Sequence, residues 1–152
     1  MSRQGLADYL IMMRKPGENQ DRVQHTDDSF PVNVWQRYAS PVWMDIRQSD
    51  TLQKKSARDE KDERHICPLQ LEVIKRGIEL WTNLDDIVLD PFAGIGSSNY
   101  MALRMNRRTI GAELKNSYYS QAVSNCSIAL SEPRIGDLED GDLFEQQSLF
   151  NE

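Results

Sequence analysis

The run Asp90-Pro91-Phe92-Ala93-Gly94-Ile95-Gly96-Ser97-Ser98 concentrates residue types that let a backbone touch a ligand. A turn from strand into helix that brings main-chain atoms against a bound molecule needs residues without a Cβ, and Gly94 and Gly96 meet that need. A helix opening there presents free N–H groups in its first turn. The β-branched run Ile87, Val88, Leu89 just upstream predicts a buried parallel strand. Tyr100, Met101, Leu103 and Met105 predict a helix over about residues 98–104. Residues 108–114 read as a second strand ending on an acid, and Glu113 stands 19 residues after Gly94. At that spacing an acid reaches the ribose hydroxyls in a nucleoside-binding βαβ unit. The blander alternative is a tight turn with Glu113 in solvent. It does not explain why strand, glycine loop, helix, strand and acid come in this order.

The type of nucleoside follows from charge. The dinucleotide fingerprint asks for a third Gly or Ala, and Asn99 occupies that place. Asp90 at the strand end would repel a pyrophosphate but suits a ligand carrying an ammonium and a sulfonium. Electrostatics therefore favours S-adenosylmethionine over NAD, and a fragment of an NAD-dependent oxidoreductase is the lesser alternative.

The surrounding elements agree with an α/β class built on a parallel sheet. Pro68 suits the first turn of a helix, and Leu71, Ile74, Ile78 and Trp81 follow as one apolar stripe. A further helix is predicted over residues 118–130. Near the start, the apolar run through Tyr9, Leu10, Ile11, Met12 and Met13 reads as a buried strand closed by Lys15-Pro16-Gly17. The organisation predicted is a strand in 1–16, an insert or linker over 17–64, a donor-binding region over 65–130 and a flexible acidic tail over 131–152. The net charge of −6 lies wholly in the stretch after residue 131, where seven acids face Arg134, so residues 1–131 carry 17 charges of each sign. An acidic tail on a neutral body is compatible with DNA contact. The insert could provide it through Trp35, Arg37, Tyr38, Trp43, Arg47, Lys54, Lys55 and Arg58, although a solvated linker explains the same residues. The two cysteines, Cys67 and Cys126, are far apart, and only His25 and His65 join them, so no metal site is expected. No apolar run is long enough to span a membrane, and a cytoplasmic protein of a bacterial or phage-infected cell is expected.

With these residues in view, a resemblance becomes specific. Asp90-Pro91-Phe92-Ala93-Gly94-Ile95-Gly96-Ser97 resembles the D-P-F-x-G-x-G-[ST] donor motif of the DNA amino-methyltransferases acting on adenine N6 or cytosine N4. Gly111-Ala112-Glu113-Leu114 with Tyr118-Tyr119 is similar to that family's next motif. His65-Ile66-Cys67-Pro68-Leu69-Gln70 is similar to its H-P-T-P-F-P segment, departing at Ile66, Cys67, Leu69 and Gln70. The strand running into Met13-Arg14-Lys15 resembles the last strand of the catalytic half in the permuted order, with the catalytic half first. Residues 35–46 resemble phage and prophage members. The resemblance implies a partial Rossmann-like methyltransferase fold. It also implies donor contacts from His65, Cys67, Pro68, Asp90, Pro91, Phe92, Ala93, Gly94, Gly96, Ser97, Ser98 and Glu113.

The family's catalytic signature, [DNS]-P-P-[YFW], has no counterpart, because no two prolines are adjacent in the chain. Ser40-Pro41-Val42-Trp43 is the nearest approach and lacks the second proline, so Ser40, Pro41 and Trp43 are candidates with an incomplete motif. The expectation is the donor-binding, C-terminal portion of a DNA methyltransferase, as in restriction–modification, inactive alone. DNA would be met together with a partner chain carrying the catalytic half, or in a homodimer. A non-catalytic phage-derived module that binds the donor, DNA or a host protein is the alternative.

Overall fold

The computed structural model describes residues 8–52 and 68–135. Along the chain run α1 (Val32–Tyr38), α2 (Leu71–Trp81), β1 (Ile87–Asp90), α3 (Ser97–Arg104), β2 (Arg108–Gly111) and α4 (Asn116–Ser131). β1 and β2 pair in parallel, from Ile87 beside Arg108 to Asp90 beside Gly111. Parallel strands need a crossover, and α3 supplies it, packing on both strands and between α2 and α4. Its two sides explain its apolar residues. Tyr100 joins Leu52, Ile95 and Ala129 in one cluster, while Met101, Ala102 and Met105 join Ile74 and Ile78 of α2 in another. The class is α/β, a partial Rossmann-like unit, as the element order predicts.

The sheet differs from the expectation of burial on both faces. Thr109 accepts a 2.6 Å hydrogen bond from Asn99 of α3, and Val88 packs with the α2–α3 cluster, so these register partners face the helix. Side chains alternate along a strand, which turns Leu89 and Ile110 to the opposite face, where they are 65% and 55% exposed. Among the described residues nothing covers that face. β2 is also shorter than predicted. It ends at Gly111, because Ala112 turns to bridge the first loop: its N–H donates to the Asp90 carbonyl and its carbonyl accepts from Ala93.

The apolar run at 9–13 is not a strand in this structure, and all its large side chains are exposed. A strand exists only through a hydrogen-bonded neighbour. The described sheet consists of β1 and β2 alone, and neither pairs with this segment. Pro68 precedes α2 rather than opening it, since the helix begins at Leu71.

The described part of the 17–64 stretch packs against α2. Arg76 of α2, with only 1% of its area exposed, holds this stretch in place. Its two terminal nitrogens donate to both oxygens of Asp45 at 3.0 and 2.6 Å, and its Nε donates to Glu72 at 2.9 Å. The guanidinium lies 5.0 Å from the ring centres of both Tyr38 and Trp43. Tyr38 donates to Glu79, Trp43 Nε1 donates to the Tyr38 carbonyl, and Phe30 meets Tyr38 edge-on. Burial and the Glu79 charge push the Tyr38 phenol well above its ordinary range. Further along, Asp50 caps α2, and burial pushes its carboxyl up. Glu132, assigned by sequence to the loose tail, instead closes the α3–α4 pair, taking the hydroxyl of Tyr100 and an ion pair with Arg104. Burial and the bond to Glu132 push the Tyr100 phenol up to about 12.

Replacing this cation should loosen the docked segment. Arg76→Met is expected to lower stability by roughly 2–4 kcal/mol, since it removes several charge-assisted hydrogen bonds and leaves carboxylates without their cation. The shift in urea midpoint measures it. The hydrogen bond from Arg76 holds the Asp45 carboxyl below its ordinary value. A depressed folded value gives stability that is present above the unfolded value of about 3.9 and lost as pH falls through the folded one. Acid titration of tryptophan fluorescence should show this leg in the wild type and lose it in Asp45→Asn.

Candidate donor-binding site

The site is the loop joining β1 to α3 together with the turn that follows β2. The Asp90 carboxylate accepts the Phe92 N–H at 3.0 Å, folding the chain back at the strand end. Gly94 and Gly96 then adopt φ of +54° and +81°, in the left-handed region that side chains rarely enter. The two glycines serve different purposes. A Cβ on Gly94 would meet nothing within 4 Å, so this face of the loop is open to a ligand. A Cβ on Gly96 would stand 2.9 Å from the Ala122 Cβ and 3.1 Å from its Cα, so this glycine lets α4 press against the loop. Ile95, between them, is 3% exposed, and its carbonyl accepts from Asn125 of α4 at 2.8 Å.

Glu113 closes the arrangement. One carboxylate oxygen accepts the Gly94 N–H at 2.9 Å and the other accepts the Lys115 N–H at 2.9 Å. The acid at the second strand's end and the glycine loop, 19 residues apart, are therefore joined directly. A carboxylate offers about four lone-pair sites, so two bonds orient Glu113 and leave acceptor capacity on each oxygen. Phe92 and Leu114, 88% and 101% exposed, are apolar side chains on the loop and immediately after Glu113.

Of the sequence-predicted donor contacts, Asp90, Pro91, Phe92, Ala93, Gly94, Gly96, Ser97, Ser98 and Glu113 fall at the end of β1, in this loop, at the start of α3 or in the turn after β2. Ser97 is buried and Ser98 half-buried in the first turn of α3. Pro68 lies just before α2, while His65 and Cys67 lie outside the described residues, as do Lys54, Lys55 and Arg58.

The structure ties down the candidate catalytic stretch and part of the DNA-facing set. Ser40 donates its hydroxyl to the Val42 carbonyl at 2.8 Å, and Trp43 stacks on Arg76. Tyr38 is 4% exposed, whereas Trp35 remains 54% exposed. Tyr38 and Trp43 thus pack the interior around Arg76. Among the described residues there is no group of His, Cys, Asp and Glu that could hold a metal, and no helix is long and apolar enough to cross a membrane.

Sequence reasoning misses the supports. In the residue pattern Asn99 is only a departure from a glycine fingerprint. In the structure it is 4% exposed and bonds Thr109, and it sits so close to Gly111 that a Cβ there would meet its amide atoms at 2.9 Å. The small residue that the pattern places in the helix has its counterpart here in Gly111 of the strand.

A comparison with protein-family models matches residues 6–124 to the DNA methylase family. The chain belongs to that family. It is 29% identical over 128 residues to the Type II methyltransferase M.HindIII of Haemophilus influenzae, covering 81% of this chain and 41% of that protein. Against the Type II methyltransferase M1.MboII of Moraxella bovis it is 29% identical over 121 residues, covering 72% and 45%. A putative DNA modification methylase from Thermus thermophilus, solved with S-adenosyl-L-methionine, aligns with a TM-score of 0.56 at 27% identity, over 77% of this chain and 41% of that one. The chain thus spans less than half the length of these relatives.

The two loop glycines make separable predictions. Gly96→Ala, strained and clashing with Ala122, is expected to lower stability by about 2–4 kcal/mol, against about 1 kcal/mol for the unobstructed Gly94→Ala. Thermal melts of the two variants give the ranking.

Proposed function

We propose that this chain binds S-adenosylmethionine at the β1–α3 loop and forms the donor-binding part of a DNA amino-methyltransferase acting on adenine N6 or cytosine N4. The observation that carries the reading is the hydrogen bond from the Gly94 N–H to Glu113, which places a carboxylate beside an open glycine backbone. The residues present fit the donor. The space beside Gly94 accommodates a ligand in backbone contact, Glu113 keeps acceptors for two ribose hydroxyls, and Asp90 contributes the negative charge that a sulfonium and an ammonium favour. The family membership and the donor-bound Thermus relative support the same assignment.

When bound, the donor supplies an electrophilic methyl group. The chain's own residues would bind and orient it: Glu113 through its carboxylate, Gly94 by allowing close approach, and Gly96 by letting α4 brace the loop. Pro68, with His65 and Cys67, would close over the methionine end. The acceptors that hold a target amine toward the methyl group, normally a polar side chain and a proline carbonyl beside a stacking aromatic, would come from polypeptide outside these 152 residues. A partner chain or a longer form of the protein would provide them, and Trp35, Arg37, Lys54, Lys55 and Arg58 would contribute the DNA contacts.

Glu113→Ala is expected to weaken S-adenosylmethionine binding roughly ten- to hundredfold in calorimetry, the range for losing charge-assisted bonds. Equal binding by wild type and variant would remove Glu113 from the site.

The purified chain is expected to transfer no tritiated methyl groups to duplex DNA, and to do so once a polypeptide carrying a [DNS]-P-P-[YFW] half is added. Transfer by the chain alone that disappears in Ser40→Ala would instead assign Ser40-Pro41-Val42-Trp43 as the catalytic loop. Tight donor binding with no transfer under either condition would favour the non-catalytic module.

A further inference from the structure

The stretch between Asp45 and Leu52 is fixed at both ends to elements that border the donor loop. At one end Asp45 is held by both terminal nitrogens of the buried Arg76. At the other, Asp50 takes two of the N–H groups that α2 leaves without intrahelical partners. Its carbonyl accepts from Leu71 at 2.8 Å and its carboxylate accepts from Glu72 at 3.1 Å. The residue at the helix's own N-cap, Gln70, makes no side-chain capping bond, so the cap comes from a residue 22 positions before Glu72. Two residues further on, Leu52 is 8% exposed and belongs to the same apolar cluster as Ile95, the residue between the two loop glycines, with Leu71 packed against it.

We infer that Asp50 is a positioning residue for the donor site, fixing where Pro68, Leu69 and Gln70 leave the start of α2 while Leu52 supports Ile95 from beneath. The inference rests on the donor reading above. A helix start held by a distant carboxylate fixes the place of Gln70, Leu69 and Pro68 before it, and Pro68 belongs to the segment assigned to the methionine end of the donor. Leu52 ties the same stretch to the loop that takes the rest of the ligand. Capping and loop support thus come from one short piece of chain, so disturbing Asp50 should be felt at the ligand and not only in the helix.

The test is calorimetric titration of the full chain with S-adenosylmethionine, with thermal melts and circular dichroism on each variant. Asp50→Ala is expected to weaken binding about tenfold while remaining folded at the titration temperature. Asp50→Asn, which keeps an oxygen acceptor for the Glu72 N–H, should bind within about twofold of wild type. Thr82→Ala, which removes side-chain bonds at the opposite end of α2, should bind as wild type does even where its melting temperature falls. If Asp50→Ala fails to fold, Asp50→Glu carries the test, because it keeps the charge, displaces the acceptor and should bind several-fold more weakly. Wild-type affinity in folded Asp50→Ala or Asp50→Glu overturns the inference, and so does an affinity loss in Thr82→Ala that scales with its stability loss. A wild type that binds no donor overturns the donor reading itself, and is distinguishable because no variant comparison is then needed.

Discussion

The backbone of Gly96 has to pass where any side chain would strike α4. With Ala122 2.9 Å from the position of an added Cβ and φ at +81°, sterics and conformation both demand glycine there. That approach lets α4 brace the loop from behind, through Asn125 on the Ile95 carbonyl, while the other face of the loop, beside Gly94, stays open. A ligand that binds through main-chain contacts needs such a wall, rigid on one side and vacant on the other. Glu113 completes it, because its two oxygens are oriented by the loop and by its own turn before any ligand arrives.

A second support, of a different kind, holds the segment before α2 to that helix. Taking a guanidinium out of water costs several kcal/mol unless its hydrogen bonds are replaced. Around Arg76 they are replaced by Asp45 on two nitrogens and Glu72 on a third, with two aromatic rings stacked on the cation. The result is a polar anchor that docks residues 38–45 on α2 and carries the chain on to the Asp50 cap. The face of the sheet carrying Leu89 and Ile110 lies opposite the helix-covered one, and among the described residues both side chains stay more than half exposed.

The donor loop is legible in the sequence because its determinants are local. Two glycines, a β-branched run before them and a helical period after them specify a strand, a turn and a helix within about twenty residues. α2 and α4 are legible for the same reason, to within a few residues at each end. Contacts across the chain are not. Nothing in the residue pattern pairs Arg76 with Asp45, 31 positions away, or makes Asp50 the cap of α2. Asn99 against Gly111 is a compensation visible only once helix and strand are packed. The run at 9–13 has the composition of a buried strand, but composition cannot supply the neighbouring strand that would make it one, and here its side chains are exposed. Residue type alone assigns Tyr38 and Trp43 to DNA, whereas their rings surround Arg76.

The central claim is that the methyl donor occupies the open face of the β1–α3 loop against Glu113. Amide chemical shifts of the nitrogen-15-labelled chain, followed during titration with S-adenosylhomocysteine, the donor's demethylated form, test it most directly. The account predicts saturable shifts concentrated in residues 92–98 and 113–115, with residues 25–45 little changed. Shifts that leave the loop untouched, or their absence at saturating ligand, would contradict it.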